Sequence, residues 1–184
     1  MTLASHEVTH GVIWFVSIVL VEAAVIDGLK LRVPNWLTYH LALGGLGFAA
    51  WTGGSALLLW ALAGLATGLL LLLPLYAIGG MGAGDVKLLA GVGAWVGPVL
   101  ILWAFVVSTV VGAVMALAMV AWSGQYIHHW VQLQAISHEI LTIRDPAKLS
   151  AIAAERKPRM RLLPYGIPIA VGTIGYFAWM GLLV

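Results

Sequence analysis

Two aspartates, Asp27 and Asp85, are the residues of this chain best placed to do chemistry. Asp27 closes one long apolar stretch and Asp85 opens another. Ionisable groups at such positions are costly and usually face a cavity or the interior of a helix bundle. Two carboxylates in one low-dielectric site do not both ionise easily, and the pair can share a proton. That is the apparatus of aspartic proteolysis: one carboxylate takes a proton from water while the other, protonated, donates to the scissile carbonyl. Such a reaction needs no cofactor and no metal. Each aspartate also has a plainer reading. Asp27 suits a helix end paired with Lys30 or Arg32, and Asp85 suits an N-cap.

The stretch before Asp85 is rich in glycine, with Gly80, Gly82 and Gly84 at alternate positions. Glycines let a backbone turn sharply and let another chain approach, so an extended substrate could pass beside Asp85. The stretch is not a P-loop, since no Gly-Lys-Ser/Thr follows, and not a dinucleotide fingerprint, since no strand precedes it. Glu22 lies five residues before Asp27, on a different side of a helix, and is expected to pair across the bundle. His128, His129 and His138 fall in a polar segment with no acidic cluster and read as solvated side chains rather than metal ligands. His40 suits a hydrogen bond across helices.

The elements that carry these residues follow from composition. The chain has 184 residues, 62% hydrophobic and 9% charged, with a mean hydropathy of +1.02. A soluble body of this size cannot hide so much apolar surface, so lipid must cover it. There is no cysteine, which excludes disulfides, thiolate nucleophiles and Cys-ligated zinc. The pI of about 9.1 comes from few charges beside apolar stretches and does not indicate a nucleic-acid partner.

A membrane span needs about 20 mostly apolar residues. Candidate spans run over about 11–26, 36–51, 56–78, 86–96, 99–122 and 164–184, the fourth being short. The expected fold is an all-α, polytopic integral-membrane bundle of about six helices forming one domain over 1–184. The N-terminus lacks the basic region of a secretory signal, so the first stretch is expected to be a retained span. With the N-terminus outside, the cytoplasmic side receives Lys30, Arg32, Lys87, Arg144, Lys148, Arg156, Lys157, Arg159 and Arg161, every Lys and Arg present. The outer turns at 52–55 and 97–98 carry none, as the positive-inside tendency requires. Both aspartates then lie near the inner face.

The only long polar segment, 123–163, is expected to be a cytoplasmic loop. Ile127, Trp130, Val131, Ile140 and Leu141 could share one apolar side of an interfacial helix within it. The basic cluster 156–161 suits contact with anionic headgroups. Nine tryptophans suit interfacial belts, and Gly44, Gly45 and Gly47 suit close helix contact.

Three stretches together resemble a known family. Gly80-Met81-Gly82-Ala83-Gly84-Asp85-Val86-Lys87-Leu88 contains the GxGD motif in the setting of the type IV prepilin peptidases, which are membrane aspartic peptidases. The stretch from Asp27 through Lys30, Arg32, Pro34 and Asn35 to Thr38 is similar to that family's first aspartate motif. Leu163-Pro164-Tyr165-Gly166-Ile167-Pro168 resembles its Pro-x-Gly segment before the last span. GxGD alone is weak, but the three in this order are specific. The resemblance implies an endopeptidase of the inner membrane that removes the short basic leader of a prepilin or pseudopilin at the cytoplasmic face, with Asp27 and Asp85 as catalytic pair. Lys30, Arg32, Pro34, Asn35, Gly82, Gly84, Lys87, Pro164 and Gly166 match motif positions and take supporting roles. Lys87 would steady the Asp85 charge or meet substrate, and Asn35 would bond backbone. Larger members carry paired cysteines linked to N-methylation. This cysteine-free chain resembles the short form associated with Flp/Tad-type pili, for which methyl transfer is not expected.

Other classes remain open on sequence alone. A presenilin-like protease would place its aspartates deeper in longer helices. A membrane transporter would show inverted repeats, which are not evident. A non-catalytic pilus or secretion assembly protein would tolerate Asp-to-Asn exchange. Glu139, Asp145 and Glu155 are the acids available near the inner face to receive a basic leader.

Overall fold

The structure, a computed structural model, describes residues 10–77, 80–124, 126–143, 145–156 and 163–184, save the side chains of His128, His129, Gln132, Leu133 and Arg156. Arg144, Lys157, Arg159 and Arg161, on which the charge pattern partly rests, lie outside the described residues. The regular structure of the described residues is entirely helical: α1 (His10–Lys30), α2 (Asn35–Ala77), α3 (Ala83–Ser123), α4 (Tyr126–Thr142), α5 (Pro146–Arg156) and α6 (Gly166–Trp179). By length and composition, α1, α2 and α3 are each apolar enough to cross a membrane, and α6 is a shorter apolar helix.

Two of these helices are too long to be single crossings. The 43 residues of α2 would span roughly 65 Å if straight, about twice a hydrocarbon core. Each long helix is broken at one glycine. Gly54 in α2 adopts φ 61°, ψ −149°, and Gly97 in α3 adopts φ 78°, ψ 176°. Both conformations belong to a region that only glycine occupies readily. The turn expected over Thr52–Ser55 thus contracts to Gly54, and the break at Gly97-Pro98 falls where it was expected. Before Gly97, α3 has only a short helical segment.

Packing shows that α2 folds back on itself. Residues from both of its halves meet the first segment of α3: Gly45 lies against Ala94 and Trp95, and Gly64 lies against Gly93. A Cβ on Gly64 or Gly93 would strike the other's backbone, and one on Gly68 would stand 2.5 Å from the Leu89 carbonyl oxygen. This stripe of small residues lets two helices touch backbone to backbone, the contact that holds apolar helices together when lipid offers no hydrophobic advantage to burial. Glycine 97 is held under the ring of Trp60. The second segment of α3 packs on α6, where Gly172 meets Ser108 and Gly112 meets Tyr165. Helix α6 in turn packs on α1. The two run antiparallel, since Gly28 faces Ile167 while His10 Nδ1 lies 3.1 Å from the Leu182 carbonyl oxygen.

Trp95 ties the end of the bundle away from the aspartates. Its indole donates to the Leu41 carbonyl at 2.8 Å, and its ring meets Phe15 and Phe48. The polar segment 123–163 forms two helices, α4 and α5, rather than the one expected. Ile127, Trp130, Val131, Ile140 and Leu141 of α4 are all exposed. Glu22 is exposed on α1 rather than turned into the bundle, because the inward side of that helix is occupied by Ile13, Val16, Leu20, Ala23 and Asp27.

Candidate active site

Each aspartate is delivered by a helix end. Helix α1 stops just after Asp27, where Leu31 takes a left-handed φ of 51° and its amide donates to the Asp27 carbonyl at 2.7 Å. This is a left-handed helix cap built with leucine instead of the usual glycine. Helix α3 begins at Ala83, with Gly82 extended at its N-cap position and Asp85 in the first turn. Helix α2 begins between them at Asn35, directly after Pro34. The start of α3 is pressed against this corner: a Cβ on Gly84 would stand 2.8 Å from the Val33 carbonyl oxygen.

Asp27 and Asp85 are the only buried charged residues among those described, at 3% and 9% exposure. They line the same two cavities. One, of about 320 Å³, is completed by Leu31, Arg32, Val33, Asn35, Gly82, Ala83, Gly84 and Lys87. The other, of about 530 Å³, runs past Leu75, Met81, Phe105, Thr109, Leu163 and Tyr165. The two carboxyls therefore share one wall despite their separation in sequence.

A glycine amide accompanies each carboxyl. Gly166 N donates to Asp27 Oδ2 at 2.7 Å, a bond from the start of α6 to the end of α1. The amide comes this close only because Gly166 has no side chain; a Cβ there would lie 2.9 Å from the same oxygen. The backbone of Gly82 faces Asp85 in the same manner, and a Cβ on Gly82 would lie 3.1 Å from Asp85 Oδ2.

The remaining motif residues divide by place. Lys87 turns away from Asp85 towards α2. Its Nζ donates to Asn35 Oδ1 at 3.0 Å and to Tyr39 Oη at 3.2 Å, and lies 4.8 Å from the centre of the Tyr39 ring. Asn35 is thus the partner of Lys87 in addition to opening α2; its side chain was expected to bond backbone instead. The Pro34 carbonyl receives the Thr38 amide at 3.4 Å, and the Pro164 carbonyl receives the Ile167 amide at 3.2 Å. Arg32 is exposed on the cavity rim, whereas Lys30 is exposed and lines neither cavity. Of the acids considered for a basic leader, Asp145 accepts the Ala147 amide at 2.9 Å and so caps α5.

Tyr165, Thr109 and Phe105 were not singled out from sequence as site residues. Tyr165 sits beside Gly166, its ring packs against Gly112, and its phenol faces the Thr109 hydroxyl. Thr109 meanwhile donates to the Phe105 carbonyl at 2.8 Å. The only sequence signal for this wall was the position of Tyr165 inside the Pro-x-Gly stretch. Among the described residues no cluster of three or more His, Asp or Glu is arranged to hold a metal.

The chain thus combines helices apolar enough to cross a membrane with two buried aspartates on one cavity wall and a glycine amide beside each. Residues 14–117, more than half of the chain, match the type IV leader peptidase family, and the chain belongs to that family. A prepilin leader peptidase/N-methyltransferase of Aeromonas hydrophila is 38% identical over 109 residues, covering 55% of this chain and 37% of that protein. One from Aeromonas salmonicida strain A449 shows the same identity and coverage. The aligned part therefore spans little more than a third of these relatives. No solved structure matches the chain significantly.

Proposed function

We propose that this protein is a membrane aspartic endopeptidase that removes the basic leader of a prepilin or pseudopilin at the cytoplasmic face of the inner membrane. The observation that carries the reading is the shared burial of Asp27 and Asp85 on one cavity wall, in a chain of the leader peptidase family. In the reaction, one carboxylate takes a proton from water and the water oxygen bonds to the scissile carbonyl carbon. The other carboxyl gives its proton to the carbonyl oxygen. When the intermediate collapses, the C–N bond breaks, the proton first taken from water goes to the amine, and a hydroxyl proton of the intermediate returns to the carboxylate that had protonated the carbonyl oxygen. The Gly166 amide orients Asp27 and satisfies one of its lone pairs.

The breaks at Gly54 and Gly97 support six crossings: one by α1, two each by α2 and α3, and one by α6 with its flanks. The basic residues at the α1–α2 corner and the start of α3 favour an N-terminus outside. The corners holding Lys30, Arg32 and Lys87, and with them the dyad, then lie at the cytoplasmic face. The exposed apolar residues of α4 suit a helix lying in that interface.

The test is cleavage of a co-expressed prepilin-type substrate by wild type, Asp27→Asn and Asp85→Asn at matched membrane levels. Removing a positioned acid or base costs about 10²–10⁴-fold, so both variants should leave the substrate uncut. A folded variant that still cleaves would overturn the dyad and favour a transporter or an assembly factor. A readout of mature N-terminal methylation tests whether a second activity is present.

A further inference from the structure

Tyr165 connects the start of α6 to the dyad in two ways. Its neighbour Gly166 gives an amide to Asp27 at 2.7 Å, and Tyr165 itself lines the cavity of about 530 Å³ that both aspartates share. The ring is held in place. It lies on Gly112, where a Cβ would stand 3.1 Å from a ring carbon, and the phenol faces the Thr109 hydroxyl. That hydroxyl donates its one proton to the Phe105 carbonyl at 2.8 Å, the ordinary back-bond of a helical threonine. Towards Tyr165 it can then only accept. The polarity of the pair follows: the phenol proton points to Thr109, and the phenol oxygen keeps acceptor capacity for the cavity. Asp85 is near enough to act on the phenol electrostatically. A group entering between that carboxyl and an acceptor oxygen is favoured if it brings a donor.

An extended substrate brings such donors. Each residue other than proline carries one backbone N–H, and successive N–H groups of an extended chain point to opposite edges. Leu75, Met81, Phe105 and Leu163 present apolar side chains to the same cavity, where an N–H without an acceptor weakens binding. The carboxyls are engaged with water and the scissile carbonyl. Resting on the peptidase reading, we infer that Tyr165 is a substrate-binding residue whose phenol oxygen accepts a backbone N–H close to the scissile bond and so fixes the register of the extended chain over the dyad. Thr109 is the positioning residue that orients this acceptor. The contact reads the backbone, so it serves any side chain and excludes proline at one position.

The experiment uses the full-length protein in detergent and synthetic prepilin-type peptides. In each peptide one of the three non-scissile amides on either side of the cut is replaced by an ester, which exchanges N–H for oxygen. At one position wild type should cut the ester with a kcat/KM roughly 2–12-fold below that of the all-amide peptide, the scale of one neutral hydrogen bond. In Tyr165→Phe that penalty should vanish, while the all-amide peptide loses the same factor. Thr109→Val should also remove the penalty, and Thr109→Ser should keep it. Thr109→Val supplies the same comparison should Tyr165→Phe fail to fold. Ester penalties of equal size in wild type, Tyr165→Phe and Thr109→Val at every position would overturn the inference and leave the peptidase reading standing. A penalty lost in Tyr165→Phe but kept in Thr109→Val would overturn the acceptor role, which rests on Thr109 holding the phenol proton. If wild type cuts none of the peptides, the all-amide one included, the peptidase reading fails and the inference falls with it.

Discussion

Gly166→Ala isolates the orientation of Asp27 from its chemistry. The added Cβ would stand 2.9 Å from Asp27 Oδ2, 3.0 Å from its Cβ and 3.2 Å from its Cγ. Relaxed contacts to carbon lie nearer ~3.5–4.0 Å, so the carboxyl or the start of α6 must retreat by roughly 0.5–1 Å. That movement stretches the 2.7 Å bond from the Gly166 amide. A hydrogen bond to a charged group contributes about 1.5–3 kcal/mol, and each ~1.4 kcal/mol is tenfold in rate. A displacement of about 1 Å at a reacting group alone costs on the order of 10²-fold. The expected outcome is a fall in kcat of roughly 10–100-fold. KM should move little, because Gly166 lines neither cavity.

The assay is turnover of a purified prepilin-type substrate, with kcat and KM separated. Gly175→Ala is the control, since it places the same methyl on the same helix with nothing within 4 Å. Wild-type kcat in Gly166→Ala, at a membrane level equal to the control, would refute the claim that this amide orients Asp27. Equal losses in both variants would instead point to a general disturbance of α6.

Tyr165→Phe removes the phenol that faces Thr109 while keeping the ring on Gly112. A neutral hydrogen bond contributes about 0.5–1.5 kcal/mol, so kcat/KM should fall roughly 2–12-fold, and Thr109→Val should fall similarly without adding to it. Additive losses in the double variant would show that the two side chains act separately. Gly93→Ala drives a methyl into the Gly64 backbone; overpacking of this kind costs about 1–3 kcal/mol, read as a lower midpoint of thermal unfolding in detergent. An unchanged midpoint would mean that the α2–α3 contact is looser than its geometry.

Much of the helical plan was legible because bilayer thickness and glycine chemistry leave few alternatives. Apolar runs beyond one hydrocarbon thickness must break, and Gly54 and Gly97 are where the backbone does so. The boundaries were less legible. Thr52, Gly53 and Ser55 read as turn residues, yet helix persists around Gly54, since away from water a backbone keeps its hydrogen bonds wherever sterics permit. The segment 123–163 read as one helix at most, because its apolar pattern is weak. The site divides in the same way. Aspartates at the ends of apolar stretches stand out because charge is rare there. The Tyr165–Thr109–Phe105 wall does not, since threonine and phenylalanine inside apolar helices are ordinary, and only packing of α3 on α6 brings them to the cavity.

Glu22 and Asp27 show what decides which acid becomes part of a site. Both are carboxylates of α1, five positions apart, and sequence alone would let either turn inward. The bundle buries Asp27 and leaves Glu22 exposed. Inward burial is sustainable only where a donor meets the carboxyl, and the donor for Asp27 is an amide at the start of α6. That amide arrives because residue 166 is glycine, a Cβ there standing 2.9 Å from Asp27 Oδ2. On the other side, Gly84 lets the first turn of α3 press on the Val33 carbonyl, and so brings Asp85 to the same wall. The aspartates are thus positioned by missing side chains at 84 and 166. A larger residue at either should weaken the site before it weakens the helices, since these crowded contacts lie at helix ends rather than along the α2–α3 seam.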